Sequence, residues 1–153
     1  MAASIRQQII SAMVTRLGTI TTANGYLTNI GNSVALWRTT EFEKWEMPSC
    51  SIADTQDTAE VSDLRPNGGH ERHKLTVEIL AVISDGDNTP ATLEQARADI
   101  INAIGIDPRW GGVAEWTTPS GDNKQISQKD KVFGAVKVTV TVSYRTLAWN
   151  PNA

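Results

Sequence analysis

Between residues 135 and 146 the chain reads AVKVTVTVSYRT: Val136, Val138, Val140, Val142 and Tyr144 alternate without a break against Lys137, Thr139, Thr141, Ser143 and Arg145. Successive side chains of a strand point to opposite faces, so alternation this long fits a β-strand with one buried and one wet face and does not fit a helix. Burying the five apolar side chains contributes on the order of 1.5–3 kcal/mol each. Any fold of this chain must set a sheet containing this strand against an apolar layer.

A second strand is legible at about 72–84, where Leu75, Val77, Ile79, Ala81 and Ile83 share a face. Leu80 and Val82 add apolar groups to its other face only near the end, which predicts a central strand covered on both sides there. The covering layer is also visible. Ile5, Ile9, Met13 and Leu17, with Ile10 and Val14 beside them, form a helical stripe that Ser4 and Gln7 open as a capping box. Leu93, Ala96, Ile100 and Ile104 form another, with Thr89 and Pro90 at its start and Gly105 at its end.

Shorter strands are expected at 34–38, after Pro48 with Cys50 and Ile52 on one face, and at 113–116. Residues 26–30 read as extended chain, 55–73 as a polar hairpin bending at Pro66 to Gly69, 117–131 as a polar loop, and 147–153 as a frayed tail. Helix, strands, helix, strands, joined mostly by hairpins, predict an α+β fold: a single domain over 1–153, with a mostly antiparallel or mixed β-sheet and two α-helices packed on one face. A chain of 153 residues suffices for one core of that kind.

A net charge of −3 argues against a dedicated nucleic-acid binder. Cys50 is the only cysteine, which excludes an internal disulfide framework, and MAASIRQQ lacks the apolar core of a secretory signal. The longest apolar run, ILAVI at 79–83, is far shorter than the roughly 20 residues of a membrane-spanning helix. The expectation is assembly in a reducing cytoplasm, without a membrane.

The HERH stretch holds metal-ligand residue types at His70, Glu71 and His73. In a strand, however, 70 and 73 point to opposite faces, and no third His or second Cys exists to complete a zinc site. Cys50 lacks a Cys-His signature, DGDN at 85–88 lacks the spacing of a calcium loop, and no phosphate-binding, dinucleotide or nucleophile-elbow motif occurs. No catalytic, cofactor or metal site is expected, and the chain reads as no enzyme.

Charge placement is more informative. Residues 41–63 carry seven acids (Glu41, Glu43, Glu46, Asp54, Asp57, Glu60, Asp63) against Lys44, whereas 121–145 carry Lys124, Lys129, Lys131, Lys137 and Arg145 against Asp122 and Asp130. Two unlike patches are what a head-to-tail contact between identical subunits requires, and such contacts form a ring where their rotation closes. Tryptophans favour interfaces, and of the five here Trp110 and Trp149 are the interface candidates. The candidate contact residues are therefore Glu41, Glu43, Glu46, Asp57, Glu60, Asp63, Trp110, Lys124, Lys129, Lys131, Lys137, Arg145 and Trp149.

In order, IRQQIISAMVTRLGTI, WRTTEFEKWEMPSCSIAD, HKLTVEILAV, TLEQARADIINAIG and VFGAVKVTVTVSYRT resemble the tail-terminator proteins of long-tailed bacteriophages, over about residues 4–146. The resemblance implies a structural virion protein, a hexameric ring at the head-proximal end of the tail tube. Such a ring stops tube polymerisation and joins the tail to head connector proteins. It also implies a place in the neck of the virion, assembly in the host cytoplasm, no cofactor, and genome DNA passing through the lumen without specific binding. Two other readings stand beside it: a head-side neck or tail-completion protein, and a small metal-dependent hydrolase built on His70, Glu71 and His73.

Overall fold

Strand β5, Phe133–Leu147, lies inside a five-stranded sheet of order β1-β2-β3-β5-β4, as its alternation requires. In this computed structural model, which describes residues 2–38, 40, 42–62, 65, 68–127 and 133–153, the other strands are β1 (Val34–Leu36), β2 (Ser49–Ser62), β3 (His70–Ile83) and β4 (Trp116–Ser127). β1 runs parallel to β2 and the remaining pairs are antiparallel, so the sheet is mixed. Helices α1 (Ile5–Leu17) and α2 (Thr89–Ile106) supply the second layer of an α+β fold.

Register places the apolar rows of neighbouring strands on one face: Leu75 faces Val142, Val77 faces Val140, Ile79 faces Val138 and Ala81 faces Val136. Ile9, Met13 and Leu17 of α1 and Leu93, Ala96 and Ile100 of α2 join these residues in a single core cluster. Ser4 closes the capping box of α1 as expected, with Gln7 N–H donating to Ser4 Oγ at 3.1 Å and Ser4 N–H to Gln7 Oε1 at 3.0 Å. Gly134 lets α2 sit close against β5, because a Cβ there would lie 2.6 Å from Leu93 Cδ1 and Thr89 Cγ2.

One buried charge holds a loop onto this layer. Asp99 of α2 is 1% exposed and accepts from Leu27 N–H at 3.1 Å, Thr28 N–H at 2.8 Å and Thr28 Oγ1 at 2.7 Å. A buried carboxylate is tolerated where hydrogen bonds replace its water, and three donors do so here. Residues 26–30, read as extended chain, instead run between short 3₁₀ turns at Thr22–Asn24 and Ile30–Asn32.

The sequence reading needs correction at several places. Residues 117–127 form not a loop but most of β4, paired along β5 with a bulge between Pro119 and Gly121. Its helix-side positions carry charge instead of apolar groups: Lys124 pairs with Glu94 of α2, and Asp122 lies 3.9 Å from Arg97. That ion-pair row replaces hydrophobic alternation at a sheet edge, where charge is common. Residues 113–115 lie outside the strand, α2 runs past Gly105 to Ile106, and the first strand ends at Leu36.

The tail is not frayed either. Leu147 N–H donates to Ala153 O at 2.7 Å, and Ile5 N–H, an otherwise orphan donor in the first turn of α1, donates to Pro151 O at 2.9 Å.

Candidate assembly surfaces

The helices cover one face of the sheet, and the other is left open. Thr76, Glu78, Leu80 and Val82 of β3 lie on it beside Ala135, Lys137, Thr139, Thr141 and Ser143 of β5, all partly exposed. Coverage near the end of β3 is partial: Ser49 and Ser51 are buried, while Leu80 and Val82 are not fully so. The polar face of β5 is therefore a surface, built of β-branched and hydroxyl side chains with Lys137 and Arg145 among them.

Both lateral edges are unpaired on their outer sides among the described residues, and they differ. At the β1 edge lie Leu36 and Trp37, and the turn Lys44–Glu46 between β1 and β2 carries Trp45, 81% exposed. At the β4 edge Trp116 is 55% exposed, and past the end of β4 the open chain of β5 leads to Leu147 and Trp149, the latter 73% exposed. Trp37, Trp110 and Trp149 all have positive φ, at 47°, 54° and 61°. That backbone region costs a bulky residue on the order of 1–3 kcal/mol and persists only where its surroundings impose it.

The hairpins leave the sheet at opposite ends. β2 and β3 meet beyond Ser62 and Glu71, where β5 finishes, whereas β4 and β5 meet beyond Ser127 and Phe133, where β5 begins.

Of the candidate contact residues, Glu41, Asp63, Lys129 and Lys131 lie outside the described residues. Glu43 is exposed. Glu46 receives both terminal nitrogens of Arg38, at 2.9 and 2.8 Å, and that contact holds its carboxyl below the usual carboxylate range. Glu60 pairs with Lys74 at 2.8 Å, Lys137 lies 3.7 Å from Glu78, and Arg145 lies 3.2 Å from Glu115, which Arg72 also approaches. Lys124 and Arg97 together pull Glu94 down to about 2, the Arg97 hydrogen bond contributing most.

Trp110 is not on the surface. It is 3% exposed, its Nε1 donates to Thr117 Oγ1 at 2.7 Å, and the Arg16 guanidinium lies 5.1 Å from its ring centre. Most of the described charges in the two oppositely charged segments thus have intrachain partners, which leaves the exposed aromatics as the more distinctive feature.

Sequence reasoning missed one cluster. His70 and His73 do point to opposite faces, but Glu71 and His73 share the helix-side face, where Asp57, Tyr144 and Arg6 meet them. Nearby, Asp54 accepts from Trp37 Nε1 at 2.7 Å and Arg6 Nε at 2.6 Å. Burial works to raise the Asp54 carboxyl, but those two bonds, a backbone hydrogen bond and the Arg6 charge together outweigh it, so it sits below its ordinary value. Among the described residues no three His, Cys, Asp or Glu side chains are placed to hold a metal ion. Burial pushes the Cys50 thiol up to about 12, far from the thiolate a nucleophile needs. No described helix is long and apolar enough to cross a membrane.

No family model matches the chain, and no curated protein matches it. Among solved structures, it is similar to a chain of one described as the virion of a native gene transfer agent (GTA) particle. The two are 12% identical over 94% of this chain and 92% of that one, with a TM-score of 0.44.

Proposed function

We propose that residues 1–153 act as one domain and that the chain is a structural component of a phage-type virion: a tail terminator. It forms a ring at the head-proximal end of the tail tube, ends tube growth and receives the head connector.

The observation that carries this reading is the pair of unlike sheet edges, each bearing exposed tryptophan. A head-to-tail contact joins two different patches of the same molecule, and buried tryptophans are enriched among the residues that dominate such contacts. The two hairpins support it further, since a ring held at both ends needs contacts above and below its plane. One hairpin faces the tube and the other the connector.

Lys137 and Arg145 test the open face. Reversing both charges (K137E with R145E) leaves the fold standing, because exposed ion pairs such as theirs contribute about 0–1 kcal/mol each. The ring weakens, seen as a shift toward monomer in native mass spectrometry or as fewer capped tubes. An unchanged ring removes the open face of β5 from the subunit contact.

A further inference from the structure

Past Leu75 on β3 the helix-side face of the sheet opens into a cleft beside Tyr144, the last core residue of β5. Asp57 of β2, Glu71 and His73 of β3, Tyr144 of β5, Arg6 of α1 and Trp149 of the tail line it. His73 stands in the middle. Its Nδ1 lies 2.9 Å from Asp57 Oδ1 and its Nε2 lies 3.3 Å from Glu71 Oε2. Its ring stacks on Tyr144 with centres 4.9 Å apart and planes 12° from parallel, and the Tyr144 hydroxyl donates to the other oxygen of Asp57.

A neutral imidazole has one N–H donor and one lone-pair acceptor, while an ionised carboxylate only accepts. With a carboxylate oxygen at each ring nitrogen, the neutral ring must set lone pair against lone pair on one side. Only the imidazolium, with two N–H groups, satisfies both. We propose that His73 is a proton-operated fastener: charged, it ties the distal arms of the β2–β3 hairpin to each other and to the rest of the chain, and neutral, it releases them.

The segments it would govern are those with little else to hold them. Among the described side chains none beyond Asp57 on β2 or before Leu75 on β3 belongs to the buried core, so the arms depend on their ladders, the exposed Glu60–Lys74 and Arg72–Glu115 pairs, and this cluster. Arg6 lies 3.8 Å from Asp57 and 2.5 Å from Asp54, which brings α1 into the same network. Ala148 N–H donates to Gly69 O at 2.9 Å, which attaches the tail to the base of the hairpin bend.

The sign follows from the groups that face His73. Arg6 is cationic throughout, and burial together with Asp57 raises the Tyr144 phenol, keeping it a donor. Asp57 and Glu71 must be ionised and His73 protonated. Fastening therefore needs all three charges at once, and loss of the ring proton or of either carboxylate charge undoes it. This holds whether or not the chain forms a ring.

The test is on the isolated protein. Nitrogen-15 spectra of histidine-labelled protein at about pH 6 and about pH 8, spanning much of the interval in which imidazoles change charge, report both ring nitrogens. Hydrogen exchange, corrected for intrinsic rates, reports the amides of His70 to Lys74 and Ala148. At the lower pH both nitrogens carry protons and these amides are protected about tenfold or more above their protection at the higher pH, a factor in keeping with a charge-assisted hydrogen bond. In His73→Gln that pH dependence disappears while the amides of Val138 and Val140 keep their protection. A ring carrying one proton at the lower pH overturns the proposal, as does protection that varies with pH equally in wild type and His73→Gln. If His73→Gln fails to fold, His73→Phe replaces it, and the ring-nitrogen result on the wild type still decides.

Discussion

Replacing Asp99 with alanine lowers the thermal midpoint by about 10 °C, because the change strips acceptors from three buried or half-buried donors at once. Leu27 N–H, Thr28 N–H and Thr28 Oγ1 all point at this carboxylate, and with it gone they face a small cavity in α2. Each orphaned donor costs about 1–3 kcal/mol, so the three together cost about 3–9 kcal/mol, toward the low end because Leu27 N–H is only half-buried. For a chain of this size 1 kcal/mol moves the midpoint by about 2–4 °C. Asp99→Asn is milder, since the amide oxygen still accepts while its NH₂ is set against donors. Calorimetry on the three proteins checks the order; a midpoint for Asp99→Ala within about 2 °C of wild type would mean the 26–29 loop does not rely on this clamp.

Replacing Trp45 and Trp116 with alanine has the opposite profile: little effect on the fold and a large one on assembly. Both rings are mostly in solvent in the single chain, and substitutions at such positions generally change stability by less than about 0.5 kcal/mol. If the β1 edge of one copy meets the β4 edge of the next, each subunit contact loses two aromatic anchors. Loss of one such anchor commonly costs about 2 kcal/mol, roughly 30-fold in affinity. Sedimentation of the concentrated protein, or counting of capped tubes, should show ring formation falling by at least that factor with the midpoint unchanged. Full assembly by the double variant would sink the edge-to-edge contact.

The parts of this fold that could be read from sequence are those where burial imposes a period. β5 buries one face from Gly134 to Thr146 and β3 from Leu75 to Ile83, so their apolar residues had to recur every second position there, and α1 and α2 had to carry stripes to cover them. β4 escaped because its helix-side positions meet Glu94 and Arg97 of α2 instead of the apolar core, so the alternation is written in Lys124 and Asp122 and looks like a loop. Trp110 sits among glycines and Arg109 in sequence, yet a turn at positive φ swings its ring into the core beside Arg16.

The cluster around His73 was half legible. Spacing alone separated His70 from His73, and left unremarked that Glu71 shares the face of His73. Asp57 joins them because β2 shifts register between Asp54 and Gln56, and no local pattern announces a bulge. Tyr144 had already been read as the last residue of the buried valine row, which it is; its hydroxyl reaches Asp57 from that row's end.

The central claim is that this chain caps a tail tube. Electron micrographs of particles assembled without it test that most directly. Tails of uncontrolled length, lacking heads, are the predicted result. Tails of normal length, whether or not they carry heads, would contradict it, and headless tails of normal length would assign the chain to the head side of the neck.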